Sequence, residues 1–133
     1  MQPITDLEQL LAQMQPALNP GRYAFVAVPD DATLDPRRII ASVREPEGLS
    51  AILPEQDALD LGLPVAFSAA WITLRVHSDL AAIGLTAAFA AALAHAGIGC
   101  NVVAGVHHDH LFVPFDQAQQ AMDALHALSR DVA

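Results

Sequence analysis

Trp71–Pro114 reads WITLRVHSDLAAIGLTAAFAAALAHAGIGCNVVAGVHHDHLFVP, and its patterning decides the fold. Ile72, Leu74 and Val76 alternate with Trp71, Thr73, Arg75 and His77, so Ala69 to His77 is expected as a strand with one core face and one mixed face. Ser78 or Asp79 is placed to cap a helix running from Leu80 to Ala96, about five turns, and Gly97 stops it where a left-handed residue is needed. Strands follow at Cys100–Ala104 and Leu111–Val113, joined by the turn Val106-His107-His108-Asp109.

Downstream, Asp116 and Gln119 fit a capping box and open a last helix. Upstream, Thr5-Asp-Leu-Glu fits another, and Leu7, Leu10, Leu11 and Met14 continue at helical spacing until Asn19-Pro20-Gly21. Tyr23–Val28 carries no charge and reads as a central strand. Asp35-Pro36-Arg37-Arg38 opens a short helix with proline in its first turn. Ala41–Glu45 and Leu49–Leu53 form a hairpin about Pro46-Glu47-Gly48, and a short helix runs from Glu55 to Gly62.

With 133 residues, 53% of them hydrophobic and 16% charged, the chain is expected to bury a proper core. Its six basic residues are all arginine, against fifteen acids, for a net charge of −9. The lack of lysine excludes a Schiff base and a P-loop lysine, and scattered arginines supply no basic stripe for nucleic acid. Cys100 is the single cysteine, which excludes an intrachain disulfide and a cysteine-based zinc site. Leu80–Ala94 is free of charge but short of the ~20 residues a membrane span needs. No secretory signal is read at MQPITDLEQLL, so a cytoplasmic location is expected.

The two halves share an order of strand, helix, strand, hairpin, strand and helix. Leu49-Ser-Ala-Ile-Leu-Pro54 aligns with His110-Leu-Phe-Val-Pro114, each a strand ending in proline before a helix, which points to an internal duplication. Trp71–Pro114, with Ile83-Gly84-Leu85 entering the long helix and Ala-Gly-Ile leaving it, resembles an ACT domain. The upstream portion, Ala41-Ser-Val-Arg-Glu and Glu47-Gly-Leu-Ser-Ala-Ile-Leu-Pro, is similar to the first half of small bacterial tandem ACT proteins, and the layout is similar to the regulatory end of aspartokinase.

That resemblance implies an α+β fold of two tandem ferredoxin-like units, antiparallel sheets with helices packed on one face. The division expected is 1–65, an N-terminal helix plus a degenerate unit, and 66–133, an ACT domain. It further implies a regulatory protein that binds a free amino acid or similar zwitterion at an interface between units, without catalysis or cofactor, and assembles as a homodimer. By position, the ligand-facing residues are His77, Ser78, Asp79, Ile83, Gly84 and Leu85 at the strand-to-helix loop, with Asn101, Val102 and Val103 on the next strand. Asp79 or Asn101 would take an ammonium group. Many ACT domains place an acid and a Pro-Gly pair directly after the first strand, whereas Gly84 here sits several residues further on.

Two competing readings start from other features. His107, His108, Asp109 and His110 are residue types that suit zinc, nickel or copper, and would centre a metal-assisted enzyme. In a hairpin only His108 and His110 need share a face, and two ligands rarely suffice, so a solvated turn is the expectation. An acidic interaction module with no small ligand is the other. Cys100, in an apolar stretch, is expected to be a small buried residue. The helix rich in Ala81, Ala82, Ala88, Ala91 and Ala92 is apolar nearly all round, so the N-terminal helix or a second subunit is expected to cover it.

Overall fold

The computed structural model describes residues 6–76 and 83–131. Its elements follow as α1 (Leu7–Gln13), β1 (Gln15–Leu18), β2 (Tyr23–Val28), a 3₁₀ turn (Pro36–Arg38), β3 (Ala41–Glu45), β4 (Gly48–Pro54), α2 (Glu55–Asp60) and β5 (Phe67–Arg75). After these come α3 (Leu85–His95), β6 (Asn101–Ala104), β7 (Asp109–Pro114), a second 3₁₀ turn (Phe115–Gln117) and α4 (Ala118–Asp131). One antiparallel sheet holds the strands in the order β3-β4-β2-β5-β7-β6, with β1 beside the far end of β5.

The sheet carries the duplication in its register. Tyr23 pairs with Pro54 as Ala69 pairs with Pro114, and Ala41 pairs with Ile52 as Asn101 pairs with Phe112. Equivalent residues Tyr23 and Ala69 pair with each other, so an approximate twofold axis passes between β2 and β5. Pro54 and Pro114 have matching backbone angles, φ −52°, ψ 134° and φ −51°, ψ 134°. Arg22 sits near the axis and serves both helix starts: it pairs with Glu55 at 3.7 Å and lies 3.9 Å over the ring of Phe115.

Period-two patterning sends alternate side chains to opposite faces. One face, with Ala70, Ile72, Leu74, Leu111 and Val113, packs against Leu10 and Leu11 of α1, Phe89 and Leu93 of α3, and Ala121 and Leu125 of α4. In the first repeat the same face carries Ala24, Val26, Ala51 and Leu53, beneath Ala58 of α2 and Leu63. Fully burying each such aliphatic or aromatic side chain contributes about 1.5–3 kcal/mol. Among the described residues, the four α-helices thus lie on one face of the sheet. Arg38 makes a two-pronged hydrogen bond to Asp57 at 2.8 and 2.9 Å, which ties the first 3₁₀ turn to α2 and holds the Asp57 carboxyl below its usual range.

Three local expectations are corrected. The first helix ends at Gln13, and Gln15–Leu18 is a strand, because its backbone pairs with β5 from Gln15↔Arg75 to Leu18↔Ile72. Pro16 is tolerated there because β1 lies at an edge, where the missing N–H costs no ladder bond. Its helix cap is Asp6, whose carboxylate accepts from the Gln9 amide at 3.0 Å; Thr5 lies outside the described residues. The long helix begins at Leu85 behind Gly84, φ +102°, and so has about three turns; Leu80, Ala81 and Ala82 lie outside the described residues. Asp116 does not form a capping box, because Phe115–Gln117 is a 3₁₀ turn entered from Pro114 without a side-chain cap.

Candidate functional site

Among the described residues, no helix packs on the opposite face of the sheet. Tyr23, Phe25, Ile52, Phe67, Ala69, Trp71, Val103 and Phe112 share it as one apolar cluster. The rings interlock: Phe25 meets Phe67 and Phe112 edge-on at 5.4 and 5.5 Å, Tyr23 meets Trp71 edge-on at 5.2 Å, and Trp71 stacks on Phe112 at 6.1 Å. Such pairs contribute about 0.5–1.5 kcal/mol each beyond area burial, and Phe112 on this face is wholly buried.

A sheet that buries its own open face must curl. Residues of β3, including Ala41, Val43 and Glu45, line the same concavity as Asn101, Val102 and Val103 of β6, although these strands are the two opposite edges of the main sheet. The concavity has a volume of about 540 Å³, within the range of small-molecule sites. Phe25 and Ile52 lie in its apolar wall, and its polar groups come from Ser42, Glu45, Ser50 and Asn101. Ser50 Oγ donates to Glu45 Oε1 and so orients the carboxylate. Both edge strands also have one side with unpaired backbone groups.

The residues singled out from the sequence fall into three groups. Asn101, Val102 and Val103 line the concavity. Ile83, Gly84 and Leu85 do not: Ile83 is 87% exposed, Leu85 is in the helix-side core, and Gly84 is closed off by Leu7, whose Cδ2 would stand 3.0 Å from an added Cβ. His77, Ser78 and Asp79 lie outside the described residues. Sequence reasoning missed Phe25, Ser42, Glu45, Ser50 and Ile52. The alignment of Pro54 with Pro114 contained the signal, since extending it places Ala41–Glu45 opposite Asn101–Gly105.

Around the hairpin, the Trp71 indole donates from Nε1 to His110 Nδ1 at 3.0 Å, so Nδ1 is the acceptor and the proton sits on Nε2. Asn19 Nδ2 donates to Thr73 Oγ1 at 3.0 Å, and Thr73 Oγ1 lies 3.3 Å from the same imidazole nitrogen. Burial, aided by His108, lowers the His110 pKa, while burial raises that of Asp109. No group of three or more metal-ligating side chains is assembled among the described residues. Burial pushes the Cys100 thiol up to about 11, where thiolate chemistry is suppressed at neutral pH. No helix among the described residues is long and apolar enough to cross a membrane.

The ACT domain pattern matches residues 2–70, and a second ACT domain pattern matches 67–127. No curated protein matches the chain. A solved Vibrio cholerae structure, described as a protein of unknown function and possible transport protein, is 44% identical over 92% of this chain and 95% of its own, with a TM-score of 0.81. An Agrobacterium tumefaciens protein is 18% identical over 87% of this chain and 89% of its own, TM-score 0.64. The ligand-free regulatory subunit of aspartate kinase from Thermus thermophilus is 11% identical over 89% and 97%, TM-score 0.61. The last two likenesses are of fold alone.

Proposed function

The chain belongs to the ACT domain family, and we propose that it is a non-catalytic regulatory protein that binds a free amino acid where its two repeats face each other. A single observation carries this reading: one concavity of about 540 Å³ takes lining residues from β2, β3 and β4 of the first repeat and β6 of the second. Its chemistry suits a zwitterion. Glu45 offers a carboxylate to an ammonium group, and Asn101 with the unpaired backbone amides of the edge strands offers donors to a carboxylate.

The strand-to-helix loop keeps a part in this proposal as the segment that communicates occupancy. Asn101–Val103 and the end of α3 are joined by a short connection, so a ligand that moves β6 pulls on α3 and, through Gly84, on Leu7 of α1. Gly84 and Leu85, packed against Leu7 and in the core, are the residues expected to feel that movement, and His77, Ser78, Asp79 and Ile83 are those proposed to complete a second ligand contact in a homodimer. The repeats are taken as 1–65 and 66–133, with α1 and β1 lent to the core of the second. A cytoplasmic location belongs to the same proposal.

Thermal unfolding of the purified chain across the twenty amino acids tests it. A ligand at a hundred times its dissociation constant adds ~2.7 kcal/mol, equivalent to about 8–16 °C for a chain of this size. Asn101→Ala and Ile52→Trp should each reduce the shift while the unliganded protein remains folded. If no amino acid raises the midpoint, the sensing proposal fails.

A further inference from the structure

Among the described residues lining the concavity, Glu45 carries the one charged side chain; the other polar contributors there are Ser42, Ser50 and Asn101. Among the described residues, no arginine or histidine lines it. A carboxylate without a cation, held in place by Ser50 and set above the apolar wall of Phe25 and Ile52, is complementary to an ammonium on an apolar body. A second negative charge on the ligand would meet Glu45 with nothing to offset it.

We propose that the concavity selects apolar primary amines, amino acids with uncharged apolar side chains among them, and rejects acidic amino acids, with Glu45 reading the ammonium group. The inference rests on the reading of this concavity as the ligand site and adds the class of ligand. The chain's net charge of −9 works in the same direction, concentrating cations near the surface at low salt.

Titration calorimetry separates the contributions. The probes are leucine and phenylalanine, the corresponding amines isoamylamine and phenethylamine, the corresponding acids 4-methylpentanoate and 3-phenylpropanoate, and glutamate. Binding by at least one of the two amino acids and by its amine, with none by its acid or by glutamate, is expected. Glu45→Gln, a change on a surface strand, should weaken both binders by about tenfold or more. Ser50→Ala should weaken them less, since it frees the carboxylate without removing it.

If an acid binds as well as its amine, if glutamate binds, or if Glu45→Gln leaves affinity unchanged, the assignment of ligand class is wrong while amino-acid binding stands. If none of the probes binds and no other amino acid does, the reading of the concavity as the ligand site falls with it.

Discussion

Gly84 joins two effects that can be measured apart. Its φ of +102° lies where a side chain is strained, and an added Cβ would stand 3.0 Å from Leu7 Cδ2. Gly97 is the control, because its φ is +78° and nothing lies within 4 Å of an added Cβ. Gly97→Ala should therefore cost only the backbone strain, about 1–2 kcal/mol. Gly84→Ala should cost that and a further contribution of about 1 kcal/mol for displacing the Leu7 side chain, at the low end of overpacking because its tip can turn. The total is about 2–3 kcal/mol, or about 6–18 °C in the unfolding midpoint. Adding Leu7→Ala removes the contact but not the strain. The double variant should then be about 1 kcal/mol more stable than the sum of the single changes implies. Urea unfolding followed by fluorescence of Trp71, the chain's one tryptophan, provides the assay. Equal costs at Gly84 and Gly97, or strict additivity with Leu7→Ala, would refute the claim that α1 seals the entrance to α3.

Phe112→Ala removes a wholly buried ring that touches Phe25 and Trp71, so a loss of about 3–5 kcal/mol is expected in urea unfolding; a loss below 1 kcal/mol would mean that the curled face is not packed as described. Burial holds the His110 pKa below its unfolded value of ~6.5, so its contribution to stability is present above that pH and is lost as pH falls through the lowered folded value. Protonation at Nδ1 also ends its role as acceptor for Trp71. His110→Gln should therefore flatten the decline in unfolding free energy between pH 7 and 5, and an unchanged slope would assign that decline to other groups.

The second half was legible because its signals are local. Alternation from Ile72 to Val76, glycine at Gly97 and proline at Pro114 each act within a few residues, and the strands and helix appear near their expected places. β1 was not legible, since Leu11 and Met14 continue a helical spacing and Pro16 argues against a strand; only pairing with β5, from Gln15 to Arg75, settles its conformation. The start of α3 was misplaced because Ser78 and Asp79 are good caps by composition, while the cap at Gly84 uses no side chain.

The candidate site was half legible for a similar reason. Asn101–Val103 came from a family resemblance, but Glu45 and Ser50 sit on an ordinary-looking hairpin whose importance depends on the sheet curling until β3 faces β6. Aromatic residues on the open face cause that curl, and five rings scattered from Tyr23 to Phe112 give no sign in sequence that they meet. Conversely, the eye-catching run His107–His110 assembles no metal-ligating group among the described residues: Trp71 holds His110, and His108 and Asp109 act on its imidazole through charge.

The place of β1 beside β5 has a consequence during synthesis. Gln15 leaves the ribosome 60 residues before its partner Arg75, an interval of about 3–12 s at 5–20 residues per second. Throughout that time Leu10, Leu11 and Met14, all buried in the finished protein, lack the β5 face on which they pack. A segment made well before its partner strand is thus late to dock, and until then it presents an apolar surface that chaperones or a neighbouring copy on the same message can seize.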